Sequence, residues 1–200
     1  IGAKGGTNGE SHNHNDVGTF VFAKDNRQVF IDMGGRPYTK DYFTDNRYSY
    51  LEASSRGHNA PIINGQYQAN VRETRSYTSF ENGVFKVDFK ELYDIKELKA
   101  LTREFKCEED RVIIKDSFKI EGKSSFTERL VSFARPEISD GCLVVDGVTV
   151  TFDKHLARAS YTEDIHYTTS TDEPPSIPVY CINIDCLYPE KGEFEFTIKA

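Results

Sequence analysis

Residues 142–152 read CLVVDGVTVTF, with apolar and β-branched residues on both sides of Asp146-Gly147. Asp-Gly is a preferred central pair for a two-residue hairpin turn, because such a turn needs positive φ at both positions. β-branched side chains favour extended backbone on either side of it. The stretch therefore predicts a β-hairpin with strands at Cys142–Val145 and Val148–Phe152.

The same pattern recurs along the chain, where Asn64-Gly65, Glu81-Asn82-Gly83 and Lys24-Asp25-Asn26-Arg27 each separate two strand-like runs. The other predicted strands are Gly18–Ala23, Gln28–Asp32, Pro61–Ile63, Gln66–Val71, Arg75–Phe80, Val84–Phe89, Leu101–Cys107, Arg111–Ile120, Phe126–Ala134, Ala157–Tyr167, Val179–Leu187 and Phe194–Ile198. Only Lys90–Ala100 is compatible with a short helix. Many short strands joined by tight turns predict an all-β fold, an antiparallel β-sandwich of large sheets.

Length and charge limit the classes of function. The chain has 200 residues, 38% of them hydrophobic, which predicts a single domain over residues 1–200. The net charge of −7 argues against nucleic acid or an anionic membrane as a partner. No apolar run approaches the ~18 residues of a membrane span. The chain opens on Ile1 with no signal peptide, and we interpret it as a domain separated from an upstream partner.

The four cysteines do not form a recognisable site. Cys107, Cys142, Cys181 and Cys186 include no Cys-x-x-Cys pair, which argues against a zinc ribbon or a redox dithiol. We predict that all four are small, buried apolar residues.

The polar stretch Glu10–Gly18 holds two of the five histidines, His12 and His14. In extended backbone, side chains two positions apart point to the same side, so the two imidazoles can serve one site. If residues 23 and 28 pair in the following hairpin, Asp32 is carried back toward His14. The sequence thus predicts that a carboxylate and two imidazoles converge.

A third histidine, His58, lies in another small and polar stretch, whereas His155 and His166 are interpreted as solvated surface residues. Histidines grouped with an aspartate suit metal ligation or proton transfer. From the residues alone, a cupin-like metalloenzyme, a metal-dependent hydrolase and a chance loop all remain open.

Four ordered motifs resemble one family. They are His12–Asp16, Asp32-x-Gly34, Tyr38-Thr39 and the run from Ser55 to Gly65 that contains His58-Asn59-x-Pro61. Together they resemble the C-terminal β-sandwich domain of the heparinase II/III-like polysaccharide lyases. Beyond Gln68 the resemblance consists of strand content, an Arg-x-Phe triplet (Arg103–Phe105) and the stretch Arg111–Asp116.

The resemblance implies an upstream α/α-toroid domain, with the catalytic cleft between it and this sandwich. It implies β-elimination of an acidic, uronic-acid-containing polysaccharide by the full-length protein, with the isolated fragment inactive and the enzyme periplasmic or secreted. It also implies a bound zinc ion held by His14, Asp32 and His58. Two nitrogens and one carboxylate leave a position open, as in catalytic zinc sites. The family pattern favours instead a structural ion that orders the loop bearing His12.

The resemblance further implies that His12 acts at the cleft and that a tyrosine of the sandwich lies near it. Tyr38, Tyr42 and Tyr48 are candidates, of which we assign Tyr48 a catalytic role and Tyr38 a substrate contact. The other expected substrate contacts are Asn13, Arg47, Arg56 and Asn59. Asn13 would equally suit a turn or the support of a metal ligand. The alternative function is a non-catalytic carbohydrate-binding or structural β-sandwich, in which exposed tyrosines stack on sugar rings.

Overall fold

A computed structural model describes residues 1–70, 73–169 and 175–200 of the chain, and it is an all-β protein. Within these residues the strands are β1 Gly2–Ala3, β2 Phe20–Lys24, β3 Arg27–Phe30, β4 Ile62–Ile63, β5 Tyr77–Glu81, β6 Val84–Asp88, β7 Leu98–Cys107, β8 Arg111–Ile120, β9 Phe126–Ser132, β10 Glu137–Ser139, β11 Cys142–Val145, β12 Val148–Phe152, β13 Ala157–His166, β14 Ile177–Cys186 and β15 Glu193–Lys199. Short 3₁₀ helices span Lys40–Phe43, Asp45–Ser49, Ser55–Gly57, Lys90–Leu92 and Pro189–Lys191.

The predicted hairpins depend on left-handed turn residues. Between β11 and β12, Asp146 has φ 46° and Gly147 has φ 74°, which matches the right-handed twist of the flanking strands. Both strands have the predicted bounds. In the hairpin of β2 and β3, Ala23 pairs with Gln28 as predicted, and a bulge after Phe22 then shifts the register.

The strands form three antiparallel sheets. The largest has eight strands in the order β10-β11-β12-β15-β8-β7-β6-β5. A four-stranded sheet has the order β13-β14-β9-β4, and a three-stranded sheet has the order β1-β2-β3. Alternate residues of β8 and β15 are buried, so one face of the large sheet supplies the core.

The two smaller sheets cover that buried face and make the predicted sandwich. Phe118 of β8 stacks on Phe126 of β9 with ring centroids 4.1 Å apart. Phe20 of β2 contacts Phe105 of β7 edge to face at 5.9 Å. One apolar cluster therefore joins all three sheets. The backbone N–H of Ile31 donates to the carbonyl of Val131 (3.0 Å), which ties the end of β3 to β9.

Three local predictions differ from the structure. Lys90–Ala100 is not a helix: a single 3₁₀ turn precedes β7, which already begins at Leu98. The predicted strand Pro61–Ile63 shortens to β4, which pairs with β9. Only an isolated bridge joins Ile63 to Gln66, and the end of the predicted strand Gln66–Val71 lies outside the described residues.

The cysteines also differ from the prediction. Cys181 is buried, but Cys107 is exposed and the other two are half-buried, and all four are free thiols. No helix in the described parts of the chain combines the length and apolar character that crossing a membrane requires.

Candidate functional site

The candidate site lies where three segments of the chain meet beside the two smaller sheets. The first precedes β2 and carries His12 to Asp16, the second follows β3 and begins at Ile31, and the third runs from Leu51 to Pro61. A second apolar cluster lies at this edge of the sandwich; its members are Ile31, Met33, Leu51, Val131, Val179 and Cys181. These segments are irregular in backbone, and buried contacts rather than a sheet ladder hold them.

His58 is completely buried, and its two ring nitrogens have different surroundings. Nε2–H donates to the backbone carbonyl of Glu52 at 2.9 Å, because a carbonyl can only accept. When the ring is neutral, Nδ1 therefore carries the lone pair, and it has no hydrogen-bond partner among the described residues. A buried nitrogen lone pair without a donor is costly in a protein interior, and a bound cation is one way to satisfy it.

Two carboxylates share this corner with His58. Ligand atoms of Asp16, Asp32 and His58 all lie within 4.8 Å of one another. Asp16 is buried and accepts from Lys4 Nζ at 2.5 Å, which fixes one carboxylate oxygen. Asp32 is exposed and accepts from the backbone N–H of Gly34 at 2.8 Å.

His14 lies beside this trio. Its ring centroid is 5.4 Å from that of His58, and its Nε2 is 3.4 Å from the hydroxyl of Tyr42. Burial, and after it the charge of His58, lower the pKa of His14 to about 4, although Asp16 and Asp32 oppose the shift. His14 is therefore neutral at physiological pH, which is the form that binds a metal.

The structure thus brings together two of the three predicted ligands, Asp32 and His58, and it places Asp16 beside them. His14 is a neighbour of the compact trio and not one of its members within the described part of the chain. Two imidazoles bound to one tetrahedral zinc at about 2.0–2.1 Å would have centroids ~5 Å apart, close to the observed separation. The donors fit a zinc ion with two carboxylates and one or two imidazoles.

His12 faces a cleft of about 350 Å³ next to this corner. The cleft is also lined by Asn8, Gly9, Glu10, Ser11, Tyr38, Tyr42, Phe43, Thr44, Arg47, Tyr48 and Asn70. His12 is exposed and has φ 59°, an uncommon value for a residue with a side chain. Such backbone persists only where surrounding contacts hold it, and it is frequent at functional sites.

Arg47 holds the loop that carries His12. Its Nη2 donates to the backbone carbonyl of Asn13, and its guanidinium lies 4.9 Å from the ring centroid of Tyr42. The Asn13 amide is used within the same loop, accepting from Lys4 Nζ and donating to the carbonyl of Thr7. Among these residues, Arg47 lines the cleft and Asn13 supports the loop.

The predicted tyrosines have different environments. Tyr38 is 59% exposed at the rim, Tyr48 is half-buried, and both line the cleft. Tyr42 is buried beneath them, where burial raises the pKa of its hydroxyl although Arg47 opposes the shift. Tyr42 therefore stays protonated and contacts His14, whereas Tyr38 and Tyr48 remain available to a ligand.

Two expected substrate contacts lie elsewhere in the structure. Asn59 is fully buried, and its side-chain N–H groups donate to the carbonyls of Phe20 (2.6 Å) and Ile31 (3.2 Å). Its Oδ1 accepts from the N–H of Val131 at 2.7 Å, so no part of this amide is free for a saccharide. Arg56 lies by the carbonyl of Ser49, outside the lining of the cleft.

Sequence reasoning missed the groups that orient His58. Glu52 is buried, accepts from His166 Nδ1 at 3.1 Å and pairs with Arg36 at 3.5 Å. Burial alone would raise the pKa of Glu52, but hydrogen bonds from His166 and its own backbone, with the charge of Arg36, lower it. His166 is thus buried and paired, not solvated. Its distance from Glu52 along the chain gives no local signal for this pairing.

Comparison with known proteins supplies the family context. The family model described as heparinase II/III-like, C-terminal matches residues 1–176. No curated protein matches the chain. A solved heparinase III described as the BT4657 gene product superposes with a TM-score of 0.68 at 14% identity, over 98% of this chain and 31% of that one.

Two further solved structures are similar. One is a mutant of the heparan sulfate lyase HepC from Pedobacter heparinus, with a TM-score of 0.61, 14% identity, and coverage of 96% of this chain and 31% of that one. The other is a heparinase III, with a TM-score of 0.60, 17% identity, and coverage of 94% and 30%. At such identities the likeness establishes the fold, and this chain spans about a third of the length of these proteins.

Proposed function

Since the chain belongs to the heparinase II/III-like, C-terminal family, we propose that the full-length protein is a polysaccharide lyase that cleaves a uronic-acid-containing polysaccharide by β-elimination. The chain corresponds to 31% of the similar heparinase III structure. An upstream α/α-toroid domain would close the cleft from the other side. On this proposal the chain alone has little or no activity, because the cleft is open without that domain.

The observation that carries the proposal is the position of His12. Its imidazole lies in a polar cleft, on a loop with strained backbone, directly next to a corner where His58, Asp16 and Asp32 converge. A loop that only covered a core would not need an exposed histidine in left-handed backbone. The aromatic and polar lining, including Tyr38, Tyr48 and Arg47, suits a sugar ring with a carboxylate.

The proposed chemistry needs three functions at one sugar. A base removes the C5 proton of the uronate, an acid protonates the departing 4-oxygen, and a donor neutralises the carboxylate on which negative charge develops. In our assignment His12 carries the acid/base or carboxylate-neutralising work, and Tyr48 is the second acid/base candidate. Tyr38 offers its exposed ring to a sugar face.

A metal ion is part of the proposal as a structural element. His58 Nδ1, Asp32 and Asp16 would hold zinc, with the His14 imidazole as the fourth donor. When bound, the ion would supply positive charge and link the segments that carry these residues. Because His14 and Asp16 flank the His12 loop on its C-terminal side, ligation there would fix the direction in which His12 points.

The test is His12→Ala in the full-length protein, assayed by the ultraviolet absorbance of unsaturated uronate products on a panel of uronate polysaccharides. The variant should lose at least ~100-fold in kcat/KM, which is typical of removing an acid/base group. His155→Ala is the matched control, because His155 is also exposed but lies in a distant turn. Wild-type turnover by His12→Ala would remove His12 from the mechanism.

Two exposed rings at the cleft rim favour a second candidate function, non-catalytic glycan binding. Tyr38 and Phe43 are 59% and 71% exposed, and their centroids are 5.4 Å apart. Exposed aromatic rings of this kind can stack on sugar rings and bind a glycan without cleaving it. If the full-length protein binds a uronate polysaccharide but releases no unsaturated product, this second function replaces the first.

A further inference from the structure

Three ionisable side chains are completely buried in the sandwich core close to the site. They are Arg103 of β7, Asp116 of β8 and Glu128 of β9, each 0% exposed. Arg103 Nε and Nη2 donate to the two carboxylate oxygens of Asp116 at 2.8 and 2.9 Å. Nη2 also donates to Glu128. These residues include the Arg-x-Phe arginine and the last residue of the Arg111–Asp116 stretch, to which the proposed function gives no role.

The remaining nitrogen of Arg103 reaches the site. Nη1 donates to the backbone carbonyl of Gly18 at 2.9 Å and to that of Asn59 at 2.9 Å. Gly18 ends the loop that carries His14 and Asp16, and Asn59 directly follows His58. A single guanidinium nitrogen therefore binds both segments that bring side chains to the metal corner.

The surroundings of Gly18 explain how its carbonyl is held. Gly18 has φ 81°, and a Cβ there would lie 2.6 Å from the ring of Phe89. Only glycine fits this backbone and this contact. The loop thus ends in a fixed conformation against the core, with its carbonyl oxygen on Arg103.

An arginine is needed for this bridge. The planar guanidinium presents five N–H donors in a fixed fork, so bidentate pairing with Asp116 sets the direction of Nη1. A lysine ammonium is a compact charge on a flexible stem and cannot reach the acid pair and both carbonyls in the same geometry. Through these hydrogen bonds, Arg103 links strands β7, β8 and β9 to the two loops.

We propose that Arg103 is a positioning residue for the metal corner: it holds the His14–Asp16 loop and the His58 turn in register, so that their ligands converge before an ion binds. This proposal rests on the proposed metal site. A purely structural arginine would instead stabilise the sandwich without any particular effect on the two loops.

The primary test compares Arg103→Lys with two controls in the full-length protein. Leu143→Ala truncates a buried side chain of β11, which lies four strands from β7 in the large sheet. This variant controls for the general loss of stability that Arg103→Lys is expected to cause. Glu128→Gln keeps Arg103 and its bonds to both carbonyls. Zinc affinity is measured by competition with a chelator, and hydrogen exchange is measured on metal-free protein in peptides covering residues 13–19 and 57–61.

Arg103→Lys should weaken zinc binding about 10- to 100-fold, as loss of a group that orients metal ligands does. Glu128→Gln and Leu143→Ala should bind zinc close to wild type. In the metal-free protein, the amides of Asn15, Thr19 and Ala60, which bond within or beside the two loops, should exchange faster in Arg103→Lys than in Leu143→Ala.

Equal zinc affinity and equal loop exchange in Arg103→Lys and Leu143→Ala would overturn the proposal. If Arg103→Lys does not fold, Asp116→Asn replaces it, because it loosens the bidentate grip on Arg103 and should give a smaller loss of the same kind. If the wild type binds no zinc, the proposed metal site fails, and the exchange data still decide whether Arg103 orders the loops.

Discussion

At the scale of single residues, the site depends on the hydrogen bonds of His58 and on the protonation state of His14. His58 Nε2 donates to the Glu52 carbonyl, and Nδ1 has no partner among the described residues, in a corner that His58 shares with Asp16 and Asp32. His14 is kept neutral by burial and by His58. His14 is therefore held in the neutral form that binds a cation.

The pKa of His14 predicts how the metal-free chain responds to acid. The pKa falls from 6.5 to about 4 on folding, so the unfolded chain binds the proton more readily between these values. The free energy of unfolding should therefore fall as pH falls from about 6.5 to about 4. The His14 contribution is about 2 kcal/mol, after a discount for the solvent-accessible part of the ring.

The measurement is urea unfolding of the chain with chelator present, at several pH values from 7 to 4, for wild type and His14→Gln. The wild type should lose about 2 kcal/mol more than the variant over this range. His155→Gln serves as the control and should follow the wild type. Parallel curves for wild type and His14→Gln would show that His14 is not held neutral in the fold.

At the scale of elements, buried polar side chains fasten together segments that share no sheet ladder. Asn59 joins the carbonyls of Phe20 in β2 and Ile31 after β3 to the N–H of Val131 in β9. Gln68 donates to the carbonyl of Val17 at 2.6 Å and so anchors the start of β2. These amides replace the regular hydrogen bonding that irregular loops lack.

Asn59→Ala should therefore destabilise the chain strongly. It would leave two carbonyls and one N–H buried without partners, at about 1 kcal/mol or more each, for a total of about 3 kcal/mol. Asn46→Ala changes an exposed asparagine and should stay within about 0.5 kcal/mol of wild type. Denaturant unfolding of the two variants checks this. Similar unfolding midpoints would show that the hydrogen bonds of the Asn59 amide do not stabilise the fold.

Local signals made the strands predictable, and long-range pairing made the site harder to predict. Asp146-Gly147 specifies its hairpin because the turn residues alone fix the geometry. The Ala23–Gln28 pairing likewise carried Asp32 to the correct region. By contrast, Asn59, Glu52 and Arg103 bind partners as far as 72, 114 and 85 positions away, which no local pattern encodes.

The resemblance to a family located the site segment by segment but not atom by atom. It placed Asp32 and His58 in one corner, and the structure adds Asp16, whose position follows from its salt bridge to Lys4. Asn59 is also a predicted substrate contact, whereas its complete burial and its hydrogen bonds make it a structural residue. Order along the chain identifies which segments matter, and packing decides which way each side chain points.

At the scale of the whole molecule, the three sheets support the loops that line the cleft beside His12. The eight-stranded sheet and the two smaller sheets share one core, and the loops with His12, His14 and His58 lie at the edge of the smaller sheets. The similar solved proteins are about three times as long as this chain. In our proposal the additional domain supplies the opposite face of the cleft and the remaining catalytic groups.

The most direct test of the central claim, that these loops close around one metal ion, is elemental analysis of the full-length protein purified without chelator. We expect about one zinc ion per chain in the wild type and in His155→Gln. In His58→Gln, which can still donate to the Glu52 carbonyl but lacks the Nδ1 lone pair, the zinc should be lost. A wild type without metal, or a His58→Gln variant that retains it, would contradict the account.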